Sequence, residues 1–231
     1  MNSPRQQMLL DLKPEQAPTL DNFVVGANGE LLRRLRDLCD NHSFEALYVW
    51  GAAGSGKSHL LTATAHAAMS RRPVALLNAA EAGTELPLTP GSLLVIDDIE
   101  ALNAEAQVAL FRAFNAARFT GLALLLSGTE PPLRLGLRED LRTRVGQTLI
   151  YEIQALSDED KAAALRQHAI ERGMLMDPGV VQYLLRRGRR DLPSLMAILG
   201  SLDRASLEQK RPPTLPLLRE LMQTSFDLEK P

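Results

Sequence analysis

Apolar residues along this chain first follow two alternating rhythms and then settle into one. "NGELLRRLRDLCDNH" places Leu31, Leu32, Leu35, Leu38 and Cys39 at helical spacing, so a helix with one apolar face is expected there. After it come short unbroken apolar runs: "ALYVWG", "PVALLNA", "SLLVIDD", "LALLLSG" and "TLIYEI". Each is the length of a strand and lacks the alternation of a half-exposed one. Between them "KSHLLTATAHAAMSRR" and "AEAQVALFRAFNAARF" read as helices. Apolar strands separated by helices predict a parallel sheet covered on both faces.

The strand rhythm stops after Ile153. "LSDEDKAAALRQHAIERG" opens with a Ser157 N-cap and an acidic first turn, and closes at Gly173. "DPGVVQYLLRR", "DLPSLMAILGSLDRASLEQ" and "TLPLLRELMQ" also read as helices. The expected organisation is an α/β domain over 18–154 and a small all-helical domain over 155–231, preceded by a peptide and Pro-containing linker over 1–17. No internal repeat or low-complexity tract interrupts it.

Composition narrows the classes. A chain of 231 residues, 45% hydrophobic, can bury a full core. Its formal net charge of −2 and pI of about 6.1 lack the basic excess of a nucleic-acid binder. Arg186, Arg187, Arg189 and Arg190 form a local run, read either as a solvated face or as a phosphate-recognising one. Cys39 is the single cysteine, so no disulfide framework is available, and its expected place is a helix core in a reducing compartment. His42, His59, His66 and His168 show no metal-ligand spacing. No apolar run reaches transmembrane length and none has the form of a targeting sequence, so a cytoplasmic protein with no membrane partner is expected.

The chemistry concentrates after two of the apolar runs. "GAAGSGKS", from Gly51 to Ser58, follows a strand and opens a helix, the context that makes G-x-x-x-x-G-K-[ST] a P-loop. Gly51, Gly54 and Gly56 let backbone N–H groups curl around phosphate oxygens, Lys57 reaches the β- and γ-phosphates, and Ser58 holds Mg²⁺. "LLVIDD" then delivers two carboxylates at a strand's end. Asp97 is expected to position Mg²⁺ through water, and Asp98 to orient or deprotonate an attacking water; for Asp98 a helix N-cap is the competing use.

These motifs, with a helical segment behind them, resemble the AAA+ ATPases. "TLDNFVVGANGELL", from Thr19 to Leu32, is similar to the opening segment of the bacterial replication initiator DnaA. "LLLSGTEPP" resembles that family's sensor 1 region, with Thr129 where an Asp is more usual. "DLRTRVGQ" resembles the box that carries the arginine finger, with Arg144 at the finger position. "RRDLPSLM" resembles the sensor 2 helix, with Arg190 at the position that touches the chain's own phosphates from the lid. "LSDEDKAAALRQHAIERG" narrows the resemblance to the Hda branch of the DnaA/Hda family. The implied fold is an AAA+ P-loop NTPase: a parallel sheet sandwiched by helices and followed by a helical lid. The implied cofactors are ADP or ATP with Mg²⁺.

The same resemblance makes the first residues readable. In "QQMLLDL", Gln7, Met8, Leu10 and Leu12 fall on the places of a sliding-clamp-binding peptide, Met8 standing where Leu is usual. A tail that packs on its own chain, or mediates self-association, is the competing reading. The implied partners are the β clamp of DNA polymerase III and DnaA, with a homo-oligomer left open. Only "AAEAGTELPLTPG" lies between the second and third strands, too short for the helical insert with which DnaA engages single-stranded origin DNA. No residues are left after the last lid helix for a helix-turn-helix domain, so sequence-specific DNA binding is not expected.

The resemblance therefore implies a negative regulator of replication initiation: clamp-bound, it stimulates hydrolysis of DnaA-bound ATP through Arg144 acting in trans. Its own P-loop then serves nucleotide binding more than fast turnover. An ATP-driven helicase loader or remodelling ATPase of the DnaA/DnaC type is the alternative.

Overall fold

The computed structural model describes residues 17–40 and 44–228, with side chains through 223. Gln7, Met8, Leu10 and Leu12 lie outside the described residues. Two units are found, one spanning Ala17–Ala155 and the other beginning at Leu156.

The first unit is a five-stranded parallel sheet of order β2-β3-β4-β1-β5, built from β1 (Ala46–Trp50), β2 (Val74–Asn78), β3 (Leu93–Asp97), β4 (Ala123–Gly128) and β5 (Leu149–Glu152). Successive side chains of a strand point to opposite faces, and the core divides accordingly. Tyr48, Leu94, Ile96, Leu124 and Leu126 pack on one face with α3 (Ala104–Thr120) and α4 (Glu139–Val145). Leu47, Val49, Leu93, Val95 and Leu125 pack on the other with α1 (Gly29–Asp40) and α2 (Lys57–Ala68). Cys39 is buried in that second layer, as its helical spacing implies.

Cover on both faces holds for the central strands and thins at the edges. The side chains of β2 and β5 are mostly half-buried or exposed, and Leu76, Leu149 and Ile150 reach solvent. An edge strand has one neighbour, so part of its apolar run stays open. Between β2 and β3 there is a single 3₁₀ turn at Ala79–Glu81 and no longer helix.

The second unit packs α5 (Asp158–Glu171), α6 (Pro178–Arg187), α7 (Leu192–Gln209) and α8 (Leu215–Leu228) around Leu165, Val180, Leu184, Leu199 and Leu218. Ser157 caps α5 in a reciprocal capping box with Asp160, which satisfies two backbone donors at once. Gly173 follows α5 at φ 71°, the left-handed stop that closes a helix.

One buried charge holds the first unit's loops together. Arg72 is 4% exposed, and its guanidinium donates to the backbone oxygens of Leu38 (3.3 Å), Gly91 (2.9 Å), Ser92 (3.0 Å) and Gly121 (3.4 Å). It thereby joins the end of α1, the start of β3 and the end of α3. Removing the donor strands several buried carbonyls, each costing about 1–3 kcal/mol. Arg72→Leu is expected to lower stability by roughly 2–5 kcal/mol, read by urea unfolding of the intact protein through Trp50, its single tryptophan, which lies in β1.

Candidate functional site

β1 ends at Trp50, and Gly51 continues its pairing by donating to the Gly128 carbonyl at 3.3 Å. The loop then turns into α2 through Gly56, at φ 100°. Glycine is needed here twice over: the backbone is left-handed, and a Cβ would lie 2.9 Å from Cε2 of Phe23. Phe23 in turn stands 5.7 Å from the His59 ring, and Nε2 of His59 lies 3.0 Å from the Thr19 carbonyl oxygen. The segment from Thr19 to Phe23 is thus built over the P-loop.

Lys57 is 7% exposed, and its Nζ donates to the carbonyls of Gly51 (2.9 Å) and Ala52 (3.3 Å). Ser58, next to it, is exposed in the first turn of α2. No side chain caps this helix. A buried ammonium beside the uncapped N-terminus of a helix favours negative charge there, through both the N–H groups and the dipole.

Across the same edge of the sheet stand the acids. Ser127, at the end of β4, donates through Oγ to the Asp97 carboxylate and accepts from the Asp98 N–H at 2.9 Å. One buried hydroxyl therefore fixes both acids. Asp98 sits at φ 53° and ψ 58°, a strained region for a residue with a side chain. It precedes the 3₁₀ turn Ile99–Ala101, but its carboxylate makes no capping bond there, so the N-cap use does not hold.

Glu100, on that turn, receives Thr129. Its Oε1 accepts from the Thr129 N–H at 2.8 Å and from the Thr129 hydroxyl at 2.7 Å. Gly128 makes the approach feasible, since a Cβ there would meet Oη of Tyr48 at 2.2 Å and Oε2 of Glu100 at 2.9 Å. The buried Tyr48 hydroxyl donates to the Glu130 carbonyl at 2.6 Å. Burial, with Glu100, Glu130 and Asp98 nearby, pushes that hydroxyl far above its ordinary pKa, so it stays a neutral donor.

Gly51, Gly54, Gly56, Lys57, Ser58, Asp97, Asp98 and Thr129 therefore lie at or beside the carboxyl-terminal edge of the sheet. Arg144 has different company. It is exposed on α4, its Nη2 donates to Oδ1 of Asn115 at 3.0 Å, and its guanidinium stands 5.9 Å over the Phe111 ring. It opens into a broad cleft of about 810 Å³ lined by Arg138, Glu139, Asp140, Thr143 and Gln147. Arg190 belongs to the second unit, where it lines a cleft of about 380 Å³ with Asp158, Gln182, Leu185 and Arg186.

Sequence reasoning missed Ser127, Glu100 and Asn28. A serine ending the apolar run "LALLLSG" was the available signal, because a buried hydroxyl needs a partner. Asn28 is buried and donates to the carbonyls of Val25 (3.1 Å) and Gln154 (3.0 Å), while Gln154 N–H returns a bond at 2.7 Å. That joins the segment beside the P-loop to the stretch just after β5.

Comparison with known proteins agrees with this fold. Residues 158–222 match the family model described as Hda, lid domain. Domain III of the Thermotoga maritima replication initiation protein DnaA is similar over 96% of this chain and 100% of that one, with a TM-score of 0.79 at 19% identity. A replication initiator DnaA bound to AMPPCP and single-stranded DNA is similar over 87% of this chain and 69% of that one, with a TM-score of 0.69 at 21% identity. A Thermotoga maritima RuvB variant is similar over 90% of this chain and 72% of that one, with a TM-score of 0.72 at 16% identity. At such identities the structural likeness carries the fold.

Burial, then Asp97 and Glu100, push the Asp98 carboxyl above its ordinary value, and Lys57 pulls part of the way back. A carboxyl whose pKa rises on folding destabilises the folded state when ionised. The penalty is full above the folded pKa and gone below the unfolded one. Asp98→Asn removes the charge, and asparagine tolerates the left-handed backbone. The variant is expected to resist urea better than the parent near about pH 8, with the advantage vanishing below about pH 4. A variant less stable than the parent near neutral pH contradicts this electrostatic account.

Proposed function

We propose that this chain, which has a DnaA/Hda-like AAA+ fold and a lid segment of the Hda type, is a negative regulator of replication initiation that stimulates hydrolysis of DnaA-bound ATP. Arg144 is the finger that acts in trans. The observation that carries this reading is the company Arg144 keeps. Its partners are Asn115 and Phe111 of α3 rather than any group of the P-loop edge, and its guanidinium is exposed beside a wide open cleft. An exposed guanidinium steadied by one Nη2 bond and a ring beneath it keeps other N–H donors for a neighbour's phosphates, where it stabilises charge developing in the transition state.

The chain's own site takes ADP or ATP in this account. Lys57 and the N-terminus of α2 hold the phosphates. Among the described residues no three His, Cys, Asp or Glu side chains converge as a ready-made metal site. Mg²⁺ would therefore be held by Ser58, Asp97 through water, and phosphate oxygens, the usual manner for this reluctant ion. Asp98 orients or deprotonates water if the chain hydrolyses its own nucleotide, and Arg190 contacts the phosphates from the lid.

Attachment comes from Gln7, Met8, Leu10 and Leu12 in a pocket of the polymerase III β clamp: apolar side chains fill the pocket while the Gln amide fixes orientation. The protein works in the cytoplasm; among the described residues no helix is long and apolar enough to cross a membrane.

Arg144→Ala is expected to cut the stimulation of DnaA hydrolysis by on the order of 10³ or more, while the chain still binds ADP. Stimulation that survives the substitution removes the finger from the mechanism. Joint replacement of Leu10 and Leu12 by Ala is expected to abolish retention on immobilised clamp with no change in thermal midpoint. A lowered midpoint would instead show the tail packing on its own chain.

A further inference from the structure

We propose that Glu100 is a positioning residue that captures Thr129, holding its donors on a carboxylate instead of on the terminal phosphate of a bound nucleoside triphosphate. The inference rests on the nucleotide-site reading above and concerns the chain's own P-loop, not the finger. A threonine has one hydroxyl proton and one backbone N–H. Both are committed to the same Oε1, at 2.7 and 2.8 Å. The acceptor is a carboxylate, so these bonds are of the charge-assisted kind, roughly twice as strong as neutral ones.

Glu100 is itself held in place. It lies on the 3₁₀ turn after Asp98, whose Ile99 is fully buried and whose closing bonds run from Ala101 to Asp98 at 2.9 Å and from Leu102 to Ile99 at 3.2 Å. Its Oε2 is buried with no hydrogen-bond partner among the described residues, in the space that a Gly128 side chain would take. Giving up Thr129 would leave the half-buried Glu100 carboxylate without these two donors, which is costly.

The carboxylates of Asp97 and Glu100 and the Lys57 ammonium all act on Asp98, so Glu100 also adds negative charge where a third phosphate would bring more. Capture of the sensing residue and repulsion work in the same direction: both weaken the hold on a triphosphate relative to a diphosphate. Thr129 at the sensing position is then a tethered residue, and Glu100 sets how far the site responds to the phosphate count.

The test is the ratio of affinities of the intact chain for AMPPCP and for ADP, measured by titration calorimetry with Mg²⁺ present. Glu100→Ala is expected to raise that ratio roughly tenfold, the scale of one hydrogen bond regained by phosphate. Glu100→Met fills the same space without an oxygen acceptor and is expected to do the same if the alanine variant does not fold. Glu100→Gln removes the charge but keeps a carbonyl that accepts from Thr129, so its shift should be clearly smaller. Adding Thr129→Val to Glu100→Ala should bring the ratio back toward that of the parent. An unchanged ratio in both Ala and Met variants, equal shifts in Gln and Met, or a gain that persists undiminished in the double variant would each overturn the capture. A parent chain that binds neither nucleotide overturns the nucleotide-site reading itself, before any variant is made.

Discussion

A parallel sheet sends the carboxyl ends of all its strands to one edge, and the chemistry of this chain depends on that arrangement. β4 is inserted between β1 and β3, so three loops meet there instead of two. Trp50 pairs with Gly128, and Ile96 pairs with Leu126. The P-loop, the acid pair and Thr129 are brought together by this pairing. Ser127, at the end of the inserted strand, then fixes both acids with one hydroxyl. A one-residue slip of β4 would turn Ser127 to the other face and dissolve the acid arrangement.

Around that edge the chain sorts its charges into two groups. The Lys57 ammonium acts on Asp98 against the carboxylates of Asp97 and Glu100. Arg144 stands apart, on a helix of seven residues steadied by α3. The proposed division of labour follows this sorting: one site retains a nucleotide, the other offers a cation outward. Asn28 links the segment beside the P-loop to Gln154, close to where the second unit begins, and so joins two stretches 126 residues apart.

Much of this was legible in the sequence because the signals were local. Apolar runs marked the strands, glycine spacing marked the P-loop, and Ser157 with Asp160 marked the start of α5. What escaped was set by contacts distant along the chain. Glu100 gains meaning only when β4 brings Thr129 beside it, and an arginine such as Arg72 reads as surface until four backbone carbonyls enclose it. α4 carries no helical signal of its own: "EDLRTRV" is seven residues with two apolar positions, too few for a periodic signal. The openness of β2 and β5 is likewise a matter of strand order, which apolar runs do not encode.

In the proposed function this chain acts on a nucleotide held by another protein. The most direct test loads DnaA with γ-labelled ATP, removes free nucleotide, and follows phosphate release with this chain and DNA-loaded clamp added separately and together. Slow release is expected with either addition alone and fast release with both. Release that is indifferent to this chain, or labelled ATP consumed by this chain while DnaA keeps its own, would contradict it.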